Sequence, residues 1–261
     1  MLRLWPRFFV TLGLASLLAL HLYLGTENTA NSAYSTLAGV FGEYMNGLIR
    51  LVFPFIVTLL AAMPLRNQTS ENFIHQTRGR TSLARHLLGL VKDGVAANAI
   101  YFTVFGLATT AAATFVVPAL NPEVLQPTSY GLTAENALKL IAQQNPLGFA
   151  AAFGGIAFGI ASTAWMVCSS TVFSLLAFAC VLVTRRRAAI LIPLGIYIGE
   201  SVITQVLNAP KLSFLLLMPT PSSMGSFDFV TAALPGFVAS ILSCATIWLV
   251  IRYAPKYGWF A

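Results

Sequence analysis

Long apolar stretches alternate with short polar segments along the chain, and this alternation predicts membrane-spanning helices. A helix needs about 20 mostly apolar residues to cross roughly 30 Å of hydrocarbon. We therefore predict an all-α, polytopic membrane protein, with residues 1–261 forming a single transmembrane domain. Six stretches meet the length condition, at residues 8–24, 44–65, 94–117, 146–183, 188–207 and 229–251.

Two of these stretches admit more than one interpretation. The first follows Arg3 and Arg7 and resembles a signal peptide, but the long apolar series behind it favours an uncleaved span. The fourth is longer than one crossing, because no charge occurs between Lys139 and Arg185. It contains no polar turn, so we predict one long or kinked helix, broken at Gly154-Gly155 and preceded by an interfacial piece.

The charged residues add an orientation to this pattern. Only 9% of residues are charged, against about 25% in soluble domains, which excludes a water-soluble globule. The net charge is +7, and the basic residues lie between the apolar stretches, so we expect no nucleic-acid partner. With the N-terminus inside, 12 of the 15 basic residues fall in cytoplasmic segments. The positive-inside rule thus predicts a multi-pass protein of the cytoplasmic membrane with both termini cytoplasmic.

The first cytoplasmic loop, residues 66–93, is the longest of the predicted cytoplasmic segments and the most charged. A run of Thr69-Ser70-Glu71 can begin a short helix, and Gly79 can end it. A second amphipathic helix is predicted from Thr81-Ser82 onward, with leucines at helical spacing. Basic amphipathic helices bind anionic lipid or dock a cytoplasmic partner, and the loop by itself leaves both uses open.

A second unusual segment lies between the fifth and sixth spans. Residues 212–218 are apolar but too short to cross the membrane, and Pro219 and Pro221 follow them. This pattern predicts a re-entrant or interfacial hairpin before the sixth span.

Four polar residues lie within or near the predicted spans. Glu200 could line a polar path or take part in proton coupling, although structural pairing with a neighbouring helix is the favoured interpretation. Asn98 and Gln205 are expected to join helices, and His21 lies in the first span. The three cysteines, Cys168, Cys180 and Cys244, are interpreted as small buried apolar residues.

No catalytic or metal-binding pattern accompanies these residues. The sequence has no GxxxxGK[ST], HExxH or GxSxG motif. We therefore expect no enzyme activity, no metal site and no cofactor in this chain. An intramembrane enzyme remains the alternative, with Glu200 and His21 as the only conceivable pair.

The layout of spans and loops resembles the ABC-2-type permeases, the membrane subunits of one class of ATP-binding cassette exporter. The most specific stretch is residues 53–93, in which an apolar span is followed by an acid-containing segment, a short helix and an arginine-bearing stretch leading to Lys92. In this comparison the short helix is a coupling helix. The positions that match the docking segment are Glu71, Phe73, Ile74, Thr77 and Arg78, with Arg80, Arg85 and Lys92 behind them.

This resemblance implies a set of partners. Two permease subunits, identical or related, would face each other in the lipid bilayer. Each would dock on a separate P-loop ATPase that holds ATP and magnesium. The cargo would be an amphipathic or hydrophobic peptide, lipid, glycan or drug. A non-transporting docking or sensory subunit is the further alternative.

Overall fold

The computed structural model describes residues 53–62, 65, 83–116, 119, 146–184, 187–209, 213–214 and 229–253. These residues form helices and turns, and no strand occurs among them. The helices are α1 (Phe53–Ala62), α2 (Leu83–Ala111), α3 (Gly148–Ala151), α4 (Gly155–Thr184), α5 (Ile192–Val206) and α6 (Phe229–Tyr253). A π-helical turn, Ala112–Val116, follows α2, and a 3-10 turn, Arg187–Leu191, precedes α5.

Four helical stretches in the described part of the chain are long and apolar enough to cross a membrane. They are Ala84–Val116, Gly155–Thr184, Ala189–Val206 and Phe229–Tyr253. They match the third to sixth predicted spans, and large apolar side chains such as Ile100, Ile160, Val202 and Leu242 are exposed along them. Exposed apolar surface of this extent is typical of helices in contact with lipid. The described residues therefore confirm the prediction of a helical, multi-pass membrane protein.

The first two predicted spans are covered only in part. Residues 8–24 and 44–52 lie outside the described residues, and α1 is a short apolar helix within the second predicted span. Both chain termini and the docking segment also lie outside them, so six spans and cytoplasmic termini stay predictions.

The fourth stretch forms one long helix, as predicted. Helix α4 has 30 residues and extends about 45 Å at 1.5 Å per residue. The short helix α3 precedes it, and the break lies at Gly154, whose φ is +101°. The Gly154 carbonyl accepts the first helical hydrogen bond, from the Phe158 N–H at 3.1 Å. Glycine occupies this break because other residues rarely adopt such a φ.

The second amphipathic helix predicted in the cytoplasmic loop is not a separate surface helix. Helix α2 begins at Leu83 and continues into the third span without interruption. Leu87 is fully buried, and at Gly94 an added Cβ would lie 2.5 Å from the Phe178 ring and 2.8 Å from the Ala61 carbonyl oxygen. Leu87 and Gly94 therefore pack against protein, so this part of α2 does not lie separately on the membrane surface, although Leu88 is exposed.

Contacts divide the chain into two compact units. Unit 1 comprises Met1–Ile49, Tyr101–Met166 and Met218–Ala232, and unit 2 comprises Arg50–Ile100, Val167–Leu217 and Ala233–Ala261. In unit 1 the close approach is at Gly106 of α2, where an added Cβ would meet the Thr163 side chain of α4 at 2.6 Å. Small residues allow such approach between membrane helices, where close packing drives association.

The core of unit 2 gathers the ends of several helices. Leu65, Leu87, Leu182, Ala189 and Ile251 are all buried in one apolar cluster. They lie just after α1, near the start of α2, near the end of α4, just before α5 and near the end of α6. These five helix ends therefore pack together on one side of the unit.

Candidate functional site

Glu200 is the acidic side chain within the fifth span, and it binds the chain that follows its own helix. Its Oε2 atom accepts a hydrogen bond from the backbone N–H of Phe214, with N and O 3.0 Å apart. The Ser213 side chain also interacts with this carboxylate. Oε1 is buried and has no hydrogen-bond partner in the described part of the chain. The carboxylate thus holds residues 213–214 against α5.

The geometry at the end of α5 explains how the chain returns to Glu200. Asn208 has a φ of +52°. Its N–H bonds to the Gln205 carbonyl, and the Ala209 N–H bonds to the Thr204 carbonyl at 2.8 Å. These two bonds form a Schellman motif, which ends a helix. Beyond this helix end, the Phe214 backbone lies beside Glu200, a residue seven positions before Leu207.

An aromatic cluster continues from the returning segment. The Phe214 ring lies edge-on to Phe173 of α4, with ring centroids 6.3 Å apart. Phe173 also contacts Tyr197 of α5 and Phe53 of α1, each with a centroid distance of 6.0 Å. Edge-to-face pairs of this kind stabilise packing by about 0.5–1.5 kcal/mol beyond area burial. The segment after α5 is therefore packed into the helices of unit 2.

Asn98 joins three helices, in agreement with its predicted role. Its Nδ2 atom donates to the Val57 carbonyl of α1 at 3.1 Å and to the Ser174 hydroxyl of α4 at 2.6 Å. The Ser174 hydroxyl in turn donates to the Ser170 carbonyl. Asn98 is fully buried, so its amide serves as an internal polar junction.

Of the other predicted site residues, only Gln205 is among the described residues, and it is not part of this arrangement. Gln205 is exposed near the end of α5, and this position gives no support to a helix-joining role. His21 lies outside the described residues, so its pairing with Glu200 stays untested. The docking residues Glu71, Phe73, Ile74, Thr77 and Arg78 lie outside them as well.

Two of the three cysteines differ from the prediction. Cys168 and Cys244 are exposed, and only Cys180 is partly buried. The prediction of buried cysteines was wrong for these two because an apolar stretch in a membrane helix has a lipid-facing side. Apolar character therefore does not imply burial there.

A cavity of about 640 Å³ lies between α4, α5 and α6 within unit 2. Pockets for small molecules commonly occupy about 300–1,000 Å³ and are mostly apolar. Sequence analysis did not identify this cavity, since its walls come from three separate helices. The residues that bear on its chemistry are Leu176, Thr184, Phe214, Leu234, Ser243 and Thr246.

No constellation for metal or nucleophilic chemistry appears around these features. Among the described residues there is no group of three or more His, Cys, Asp or Glu side chains that could hold a metal ion. The arrangement offers one tethering carboxylate, one buried amide junction and one apolar cavity. The chain matches no protein-family model, no curated protein sequence and no solved structure.

Proposed function

We propose that this protein is the membrane-spanning permease subunit of an ATP-binding cassette exporter. It moves an amphipathic or hydrophobic cargo across the cytoplasmic membrane and uses ATP hydrolysed by a separate P-loop ATPase. In this proposal the chain has six spans and cytoplasmic termini and pairs with a second permease subunit. The chain's own lack of a phosphate-binding GxxxxGK[ST] motif agrees with this division of labour.

The observation that carries the proposal is the anchoring of the first cytoplasmic loop. Leu65 precedes this loop and Leu87 lies in its C-terminal part, after the proposed docking segment, and both side chains are fully buried in the same apolar cluster. A segment flanked on both sides by residues in a packed core would transmit a displacement to the helices, because a close-packed interior transmits strain. This loop is thus well placed to couple a docked motor to the bundle.

The location of the basic residues gives further support. The helix ends that pack in this cluster are adjacent in sequence to Arg66, Arg85, Arg252 and the run Arg185–Arg187. In this proposal the side of unit 2 on which these helix ends meet faces the cytoplasm, as the positive-inside rule predicts for helix ends followed by basic residues, and an ATPase would bind there.

The mechanism follows from differential affinity. ATP binding to the partner would draw the two docking loops together and shift the bundles between inward and outward access. Such a shift requires that the ATP-bound motor bind one bundle conformation more tightly than the other. Phe73 and Ile74 supply the apolar part of the contact in this proposal, and Glu71 and Arg78 its charged part.

Copurification tests the docking claim. Affinity-tagged protein is isolated from the membranes of its own host, and copurifying chains that contain GxxxxGK[ST] are identified by mass spectrometry. We expect such an ATPase with the unaltered protein and its loss from the double variant Phe73→Asp and Ile74→Asp, because two charges would be buried in an apolar contact.

The matched control is Asn67→Asp with Gln68→Asp, at two positions that precede the docking segment. This variant adds the same two negative charges to the same loop without changing the apolar residues, and it should retain the ATPase. An intact complex in the Phe73 and Ile74 double variant would contradict the assigned docking site. If no such ATPase accompanies the unaltered protein, the exporter proposal itself fails.

A further inference from the structure

The cavity between α4, α5 and α6 is open on one side. Small side chains form its floor, where Ala179, Ala239 and Ser243 are buried. Large apolar side chains that are exposed, such as Val238 and Leu242, form its rim. These rim residues belong to a helix that is long and apolar enough to cross a membrane. In a bilayer the opening therefore faces lipid hydrocarbon.

The described lining of this cavity holds no charged side chain. Its side chains are apolar except for Cys180, Thr184, Ser243 and Thr246, and none of them is an acid, a lysine, an arginine or a histidine. An ion that left water for this site would meet no opposite charge among these residues, and burying an unpaired charge is very costly. The lining therefore favours an uncharged ligand over an anion or a cation.

One hydroxyl in the cavity floor has an unused donor. Ser243 is only 3% exposed, and its Oγ has no hydrogen-bond partner among the described residues. Thr246 differs, because its hydroxyl donates to the Leu242 carbonyl of the same helix at 2.8 Å. A buried hydroxyl without a partner is destabilising. A carbonyl oxygen would accept from Ser243 without adding a donor that itself needs a partner in an apolar cavity.

The depth of Ser243 along α6 excludes the polar part of a phospholipid as this acceptor. Ser243 lies fourteen residues after Phe229 and ten before Tyr253, which is about 21 Å and 15 Å along the helix axis. The hydrocarbon core is about 30 Å thick, and the polar headgroups lie outside it. A bilayer molecule whose carbonyl reaches Ser243 is therefore one that dissolves in the hydrocarbon core as a whole.

We propose that the cavity between α4, α5 and α6 binds an uncharged lipophilic carbonyl compound, which enters sideways from the bilayer and accepts a hydrogen bond from Ser243. The apolar body of this molecule contacts Leu176 and Phe214, which also line the cavity. All the lining residues belong to unit 2. The binding needs no ATPase partner, so it holds or fails independently of the exporter proposal.

Photolabelling of the full-length protein in phosphatidylcholine vesicles tests this site. The probe is benzophenone, an uncharged ketone whose photoexcited carbonyl inserts into nearby C–H bonds, and labelled peptides are located by mass spectrometry. We expect labels on the cavity-lining residues of α4, α5 and α6. Benzophenone-4-carboxylate should label them more weakly, because the lining offers no positive charge. Labels are compared with those on Ile241, an exposed α6 residue outside the lining.

A matched pair of competitors measures the carbonyl contact with Ser243. Dicyclohexyl ketone and dicyclohexylmethane have the same two rings, and only the ketone has a hydrogen-bond acceptor. The advantage of the ketone in competing with benzophenone should be about two- to tenfold larger for the unaltered protein than for Ser243→Ala, the equivalent of one hydrogen bond. Membrane partitioning of the two compounds cancels in this comparison, because both proteins are tested with the same pair.

Two bulky variants separate the cavity from general contact with lipid. Ala239 is buried and lines the cavity, so Ala239→Phe should fill it and abolish labelling there. Ala245 is exposed on the same helix, so Ala245→Phe should leave labelling unchanged.

Four results would overturn the proposal. They are no cavity label in the unaltered protein, which would mean that lipid chains fill the site, equal labelling of the two phenylalanine variants, equal relative labelling by the charged probe, and the same ketone advantage in Ser243→Ala. If Ala239→Phe fails to fold, the Ser243→Ala comparison decides the outcome.

Discussion

Gly94 and Asn98 lie one turn apart on the buried face of α2, and each contacts both α1 and α4. Gly94 faces Ala61 of α1 and Phe178 of α4. The Asn98 amide bonds to Val57 and Ser174, which lie four residues before Ala61 and Phe178 in their helices. Moving forward along α2 thus corresponds to moving backward along α1 and α4, so α2 runs antiparallel to both at this point. The close approach that glycine allows at position 94 and the hydrogen bonds of the Asn98 amide together hold the three helices in register.

Position 94 requires glycine because the neighbouring helices leave no room for a side chain. We expect Gly94→Ala to destabilise the protein by about 1–3 kcal/mol, the usual cost of overpacking, because its Cβ would press on the Ala61 carbonyl and the Phe178 ring. The measurement is the unfolding temperature of the purified protein in detergent, followed by tryptophan fluorescence.

Gly89 supplies the matched control for this change. It lies on the same helix, and an added Cβ would meet nothing within 4 Å. Gly89→Ala should raise stability by about 0.5–1 kcal/mol through its better helix propensity. A Gly94→Ala variant as stable as Gly89→Ala would contradict the close packing of α2 against α1 and α4.

At the scale of elements, two local breaks determine where helices start and end. Gly154 separates α3 from α4, and Asn208 ends α5 and directs the chain back towards Glu200. The carboxylate of Glu200 then fixes the returning segment through the Phe214 N–H. An acid in a membrane span is costly and often functional, and here it has a structural contact with the backbone.

Backbone conformation, and not space, explains the requirement for glycine at position 154. An added Cβ would meet nothing within 4 Å at Gly154 or at Gly155, but only Gly154 has a positive φ. We expect Gly154→Ala to lower stability by about 1–3 kcal/mol, the cost of holding a side-chain-bearing residue in a rarely populated region. Gly155→Ala should be tolerated, and thermal unfolding in detergent compares the two. Equal unfolding temperatures would argue against the break between α3 and α4.

At the scale of the whole molecule, the positive-inside rule predicts the orientation in the membrane from the basic residues, and this orientation would determine which loop could meet the proposed cytoplasmic ATPase. The buried cluster in unit 2 brings together helix ends that adjoin six of the 15 basic residues in the sequence. With the opposite orientation, the proposed docking loop would face the exterior.

Cysteine labelling tests this orientation directly. After Cys168, Cys180 and Cys244 are replaced by alanine, one new cysteine is introduced at Arg80 or, as the control, at Lys139. In intact cells a membrane-impermeant maleimide should label Lys139→Cys but not Arg80→Cys, which should react only after the membrane is opened. Labelling of Arg80→Cys from the exterior would reverse the topology and remove the docking proposal with it.

The amino-acid sequence by itself determined the membrane class, the third to sixth spans and the single long fourth helix, because apolar length and charge placement are local properties that the bilayer selects. It also identified Asn98 and Glu200 as polar residues that need partners. Only the tertiary structure decided what those partners are, that α2 continues through the amphipathic segment, and that α4, α5 and α6 line a common apolar cavity. These features depend on which helix faces meet, and contacts between residues distant in sequence leave no periodic signal along the chain.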